Sequence, residues 1–130
     1  LNLNNLVFVG GVEDIRYELI NADIYVCTSL AEASPTSVWE AMAMAKPIVS
    51  TNVGEVDIMI EDGVSGHIVN PRDSRTLAEK VITLLKRPNE AKLFGQNARK
   101  RAEELLDSRL IAQKHKHAYV TFLNYYKAVK

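Results

Sequence analysis

An α/β fold on a parallel sheet of about four strands is what this sequence predicts, and three observations predict it. Short β-rich runs alternate with segments of helical periodicity. The runs are nearly continuous in apolar residues, as strands covered by helices on both faces are. After residue 69 the strand signals stop and only helical patterns remain. Strand and helix alternating in chain order means right-handed crossovers between parallel neighbours.

The elements follow in order. "LVFVG" (6–10) leads into helical "EDIRYELINA", "DIYVCTS" (23–29) into "SPTSVWEAMAMA", and "PIVST" (47–51) into "EVDIMIEDG"; "GHIV" (66–69) closes the sheet. Asn70 and Pro71 then read as a turn and Ser74 as a helix N-cap, with Leu77, Val81, Leu84 and Leu85 at helical spacing behind it. Two more helices, "NEAKLFGQNARKRAEELLD" and "SRLIAQKHKHAYVTFLNYYKAVK", are broken near Pro88 and near Asp107 and Ser108. The last is long and basic and carries Ile111, Tyr119, Phe122 and Tyr126, so it either wraps back along the domain or docks on something outside this chain. Residues 1–130 thus read as one domain, with parallel βα units over 1–70 and a helical part over 71–130, and no internal repeat or low-complexity stretch interrupts it.

Composition narrows the function. With 47% apolar and 25% charged residues in a chain of 130, the protein has the balance of an ordinary soluble globular domain rather than a disordered one. A sheet this thin, and a first residue that is Leu rather than Met, point to half of a domain cut from a longer chain. Zero net charge argues against a general nucleic-acid binder, which needs a surplus of Lys and Arg. The charge is unevenly spread: residues 1–85 hold 5 Lys and Arg against 12 Asp and Glu, and residues 86–130 hold 11 against 4, so the chain runs from −7 to +7. The basic third suits a solvated helix face first, then a membrane surface or an acidic partner. The lone Cys27 fits a reducing compartment and reads as packing rather than nucleophile. No apolar run approaches the roughly 20 residues of a membrane span and "LNLNN" is no signal peptide, so the expected location is cytoplasmic.

The stretch "LAEASPTSVWEAMAMAKPIVS" (30–50) carries the chemistry. Ser34 before Pro35 signals a helix start, with Ser capping and Pro at the first helical position. Val38, Ala41, Met42 and Ala45 then make one apolar face against the sheet. Thr36, Ser37 and Val38 are left with backbone N–H groups at the positive end of the helix dipole, a ready place for phosphate. The loop before that helix follows the C-terminal end of a strand, where open parallel sheets bind ligands. Glu32 lies in the loop and Glu40 in the helix, with seven residues between them. Carboxylates accept paired hydrogen bonds from vicinal hydroxyls, so the pair suits a ligand with hydroxyls on both sides of a phosphate, such as a sugar nucleotide. A loop charge and a solvated helix residue are the plain alternative.

Other candidates carry less. Glu55 and Asp57 in "EVD" resemble an acid-x-acid metal site but read as a solvated helix start. His115 and His117 stand two apart on a helix and point different ways, which disfavours a shared metal. His67 reads as strand packing or a polar rim and Trp39 as core, and no Ser-His-Asp or Cys-His arrangement assembles.

Together, Ser29, Glu32, "EAMA" from Glu40 to Ala43, Ala45-Lys46-Pro47, Ile48-Val49, Gly54, Asp62-Gly63 and Gly66 resemble the C-terminal half of the retaining glycosyltransferases of group 1, the family 4-like enzymes of GT-B fold, over about residues 6–86. The resemblance implies a partial Rossmann-like sheet, half of a GT-B nucleotide-sugar-binding domain. It also implies that Glu32 contacts the donor sugar and stabilises the reacting centre, and that Glu40 holds the ribose. The backbone amides of Thr36 and Ser37, with Val38 behind them, would receive the diphosphate and Pro35 would belong to the same donor-binding turn, while the loop after the first strand, Gly10, Gly11 and Val12, would lie near the base. The implied reaction is sugar transfer with retention from a UDP-, GDP- or ADP-sugar to a glycan or glycolipid, with no metal and no cofactor, the leaving diphosphate being neutralised by protein groups. The acceptor would sit on an N-terminal domain, and the whole enzyme would be cytoplasmic or peripheral at the membrane, building polysaccharide or glycolipid.

Two departures stand out: Glu55 follows Gly54 where the family has a second glycine, and Ile58 replaces an acidic residue. The family's diphosphate-neutralising Arg and Lys belong to βα units upstream of residue 6, so this chain alone is expected to be inactive. A non-catalytic binding or assembly module of the same fold, or a nucleotide-sugar epimerase, are the other readings.

Overall fold

A computed structural model of the chain describes residues 4–129. Its sheet has three strands, β1 (Tyr25–Cys27), β2 (Ile48–Thr51) and β3 (His67–Val69), in the order β1-β2-β3. Both pairings are parallel, with Val26 beside Val49 and Ser50 beside Ile68. Six helices flank it: α1 (Arg16–Asn21), α2 (Thr36–Ala43), α3 (Val56–Met59), α4 (Ser74–Lys86), α5 (Pro88–Leu106) and α6 (Ser108–Ala128).

The central strand β2 is buried at all four positions, which is why "PIVST" is an uninterrupted apolar and small run. On one side of the sheet Val38, Met42, Val56, Met59 and Ile60 pack with Ile48, and on the other Leu84 and Phe94 pack with Val49 and Val69. Helix α5 serves both cores, giving Phe94 to the second and Ala98 and Ala102 to the first. Its small residues let it lie close to α2. A Cβ on Gly95 would run into the Ala45 carbonyl oxygen, so the approach requires glycine.

Helix α2 forms as its pattern predicts: Val38, Ala41 and Met42 are fully buried. Its end is a Schellman turn, the Ala45 N–H bonding Met42 O at 2.9 Å and the Lys46 N–H bonding Ala41 O at 3.0 Å. Ala45 therefore leaves the helical face and takes the left-handed conformation, φ 54°, that such a turn demands.

Four local expectations are corrected. Residues 6–10 form no strand and lie exposed, Phe8 at 90%, because no neighbour among the described residues pairs with them; the sheet there has three strands rather than about four. Pro35, not Ser34, occupies the N-cap of α2, and no side chain caps that helix. Asp73 rather than Ser74 caps α4, accepting from the Thr76 N–H at 3.0 Å, and that bond holds its carboxyl below the ordinary value. The third helix is shorter than "EVDIMIEDG", because Ile60 turns extended and Glu61 opens a turn that the Ser65 hydroxyl closes by accepting the Glu61 N–H at 2.9 Å.

Helix α6 is capped by Asp107, whose side chain accepts from the Arg109 and Leu110 N–H groups, yet none of its residues is buried. Among the described residues no helix is long and apolar enough to cross a membrane.

Candidate functional site

At the C-terminal end of β1 the chain turns into the loop 28–35, and two neighbours hold that loop in place. The Thr51 hydroxyl, at the end of β2, donates to the Ser29 carbonyl at 2.7 Å, and the Glu55 N–H donates to the Ala33 carbonyl at 2.9 Å. Gly54 makes the second contact possible: φ is +55°, and a Cβ there would collide with the backbone of Glu32 and Ala33. The family-like glycine is thus needed by geometry, while Glu55 supplies a backbone N–H that any residue but proline would.

Glu32 is exposed on this braced loop, and its Oε1 accepts from the Ser29 hydroxyl at 2.8 Å. A run of bonds from Thr51 through Ser29 to Glu32 therefore holds the exposed carboxylate beside the C-terminal end of β1. Glu40, also exposed, is a turn and more along α2 and lines a groove of about 290 Å³ with Glu13, Asp14, Arg16 and Met44. Gly11 and Val12, both exposed, immediately precede that groove, Gly10 before them turning the chain at φ 76°. Asp14 and Arg16, two residues apart on its lining, pair at 2.6 Å, and the Arg16 guanidinium draws the Asp14 carboxyl down to about 2.

At the start of α2 the two exposed or half-exposed residues are Thr36 and Ser37, whose amides have no acceptor inside the helix. Val38 differs from the expectation: its N–H is taken by the Pro35 carbonyl at 3.0 Å and its side chain is fully buried. Pro35 is buried as well and has no N–H to offer. These two shape the first turn, and Thr36 and Ser37 present its donors. Ser34, displaced from the cap, accepts from the Trp39 indole N–H at 3.3 Å, which ties the half-buried Trp39 over the same turn.

Tyr25 escaped the sequence reading. It stands in β1 beneath α2, and its phenol donates to Ser37 Oγ at 2.7 Å. Burial pushes its pKa up, and the nearby charges of Cys27, Glu40 and Glu32 push the same way against the Ser37 bond. An aromatic ring with a polar tip inside the aliphatic run "DIYVCTS" was the available signal.

The other candidates settle outside this cluster. His67 is buried, edge-on to Phe94 with ring centroids 5.2 Å apart, its Nδ1 3.4 Å from Asp62 Oδ1. His115 and His117 are exposed on α6, and Glu55 and Asp57 are exposed at α3. Among the described residues no three His, Cys, Asp or Glu gather as metal ligands. A cavity of about 480 Å³ lies at the opposite end of the strands, beside Asp23 and Pro47.

The glycosyl transferases group 1 family matches residues 1–101. The chain belongs to that family. It is 33% identical over 122 residues to the trehalose synthase of Pyrococcus horikoshii, a match covering 94% of this chain and 28% of the relative. It is 31% identical over 120 residues to the capsular polysaccharide biosynthesis glycosyltransferase CapM of Staphylococcus aureus, covering 92% and 31%. Among solved structures it superposes on HepE of Anabaena, in complex with UDP and glucose, with a TM-score of 0.84 and 26% identity, over 91% of this chain and 32% of that one. This group 1 chain therefore spans about a third or less of the length of those relatives, and its parallel sheet with flanking helices is a piece of their GT-B architecture.

Proposed function

We propose that the chain is the donor-binding part of a retaining glycosyltransferase that moves a sugar from a nucleoside-diphosphate sugar to a glycan or lipid acceptor. One observation carries the reading: two carboxylates, Glu32 and Glu40, flank the open first turn of α2 at the C-terminal edge of a parallel sheet. The diphosphate would meet the Thr36 and Ser37 amides over the turn shaped by Pro35 and Val38. Glu40 would take the ribose hydroxyls in the groove it shares with Asp14, and Gly11 and Val12 would border the base. Glu32, aimed by Ser29, would bind the sugar hydroxyls and balance positive charge developing at the anomeric carbon. HepE, solved with UDP and glucose, supports a nucleotide-sugar ligand.

The same reading assigns the acceptor to a preceding domain, and the neutralisation of the leaving diphosphate to these amides and to cations supplied from outside the chain, with no resident metal. The net −7 of residues 1–85 is why added cations are needed. It treats residues 1–130 as one unit, donor site in 1–70 and helices in 71–130, within a cytoplasmic enzyme that touches the membrane at most peripherally.

Titration calorimetry on the full-length enzyme with UDP-, GDP- and ADP-sugars tests it. One donor binds in the micromolar range, and Glu40→Ala weakens it about tenfold, or about 1.4 kcal/mol. Glu32→Gln leaves donor affinity within a few-fold and lowers kcat by about 10²-fold or more. Failure of every donor to bind, or an unchanged Glu40→Ala, would make the non-catalytic module the better account.

A further inference from the structure

Ser37 is the second residue of α2, so the carbonyls three and four residues before it lie outside the helix, and its hydroxyl makes no bond back to either of them. Its Oγ is the acceptor of the Tyr25 phenol at 2.7 Å, and among the described residues its own proton has no acceptor. The side chain is half-buried at the first turn of α2, next to the Thr36 and Ser37 amides that also lack partners within the helix.

We propose that Tyr25 is a positioning residue of the donor site: by donating to Ser37 Oγ it leaves the Ser37 hydroxyl proton free to serve as a further donor to the diphosphate. The inference rests on the donor-site reading above. A hydroxyl that accepts one hydrogen bond becomes a stronger donor in the next, so the phenol also sharpens the bond that Ser37 makes. The phenol is suited to that part because its surroundings keep it protonated. Burial and the Glu40 and Glu32 carboxylates all oppose ionisation, so it remains a donor throughout the physiological range. The nucleoside-side contacts, Glu40 and the groove beside Asp14, lie further along α2 and share no hydrogen bond with this pair. The effect is therefore confined to the phosphate end of the ligand.

Tyr25→Phe removes one oxygen and keeps the ring. In the full-length enzyme, calorimetry compares whichever of UDP, GDP or ADP the wild type binds with the matching nucleoside. Tyr25→Phe is expected to weaken the diphosphate about five- to tenfold while the nucleoside stays within twofold. Ser37→Ala does the same, and the double variant is no weaker than Ser37→Ala alone, because the two groups act through one hydroxyl. Equal weakening of nucleoside and diphosphate would show a merely structural tyrosine and overturn the proposal. So would Ser37→Ala weakening the diphosphate while Tyr25→Phe leaves it unchanged, with the donor site itself intact. A wild type that binds none of the three diphosphates brings down the donor-site reading, and this inference with it.

Discussion

Gly54 shows how a single position connects backbone geometry to the site. Its φ of +55° and its close approach to Glu32 and Ala33 leave no room for a Cβ. Gly54→Ala should cost about 2–3 kcal/mol in chemical denaturation, and shift the loop that aims Glu32, because the rigid backbone on both sides can only move apart. The glycine itself was visible in the sequence as part of a motif; that it touches the Glu32 loop was not, since twenty residues separate them. Asp14 is a second case. Its half-buried carboxyl is held at about 2, first by the Arg16 side chain and then by the Arg16 N–H. A lowered folded value means that the contribution of the pair is complete above the ordinary 3.8 and is lost as pH falls through 2. Carboxyl NMR titration should find Asp14 still charged at pH 3, and Arg16→Ala should return it toward the ordinary value. The Tyr25 bond to Ser37 was equally hidden, because which strand residue lies under which turn depends on how the helix sits on the sheet.

Helix α2 was the most legible element, because its period-3.6 face and its flanking Pro35 and Pro47 act locally. The residue at its end was not, for Ala45 continues the apolar spacing yet sits at φ 54° in the Schellman turn. A left-handed alanine carries strain of roughly 1–2 kcal/mol, part of which glycine's greater unfolded freedom cancels. Ala45→Gly should therefore stabilise the protein by about 0.5–1 kcal/mol, raising the denaturation midpoint with an unchanged slope. The caps tell a similar story. Asp73 and Ser74 are both good N-cap residues, and the one whose backbone stays out of the helix takes the role. Ser34 lost its expected part to Pro35 because the helix begins one residue later, at Thr36, and the extended Pro35 backbone is the one that flanks it; the Ser34 hydroxyl accepts from the Trp39 indole instead.

Across the whole molecule, the two cores lie on the faces of the sheet and α5 joins them, while α6 stays outside both. Since α6 buries none of its side chains, removing residues 108–130 should change the unfolding free energy of this chain by less than about 1 kcal/mol, and its amides should be the first to lose protection in hydrogen exchange. A large loss of stability on that truncation would show that Tyr119 and Phe122 support the domain after all. Parallel pairing, the helices between strands, and the loop and helix that carry Glu32 and Glu40 were readable from residue pattern, because alternation and periodicity are short-range consequences of side-chain chemistry. What only the tertiary structure decided was whether residues 6–10 become a strand, which amides at the start of α2 remain free, and that Gly54, Thr51 and Tyr25 converge on the site. Strand pairing and hydrogen-bond partnership need a second segment at a given distance, and that distance is set by the packing of the sheet and helices as a whole.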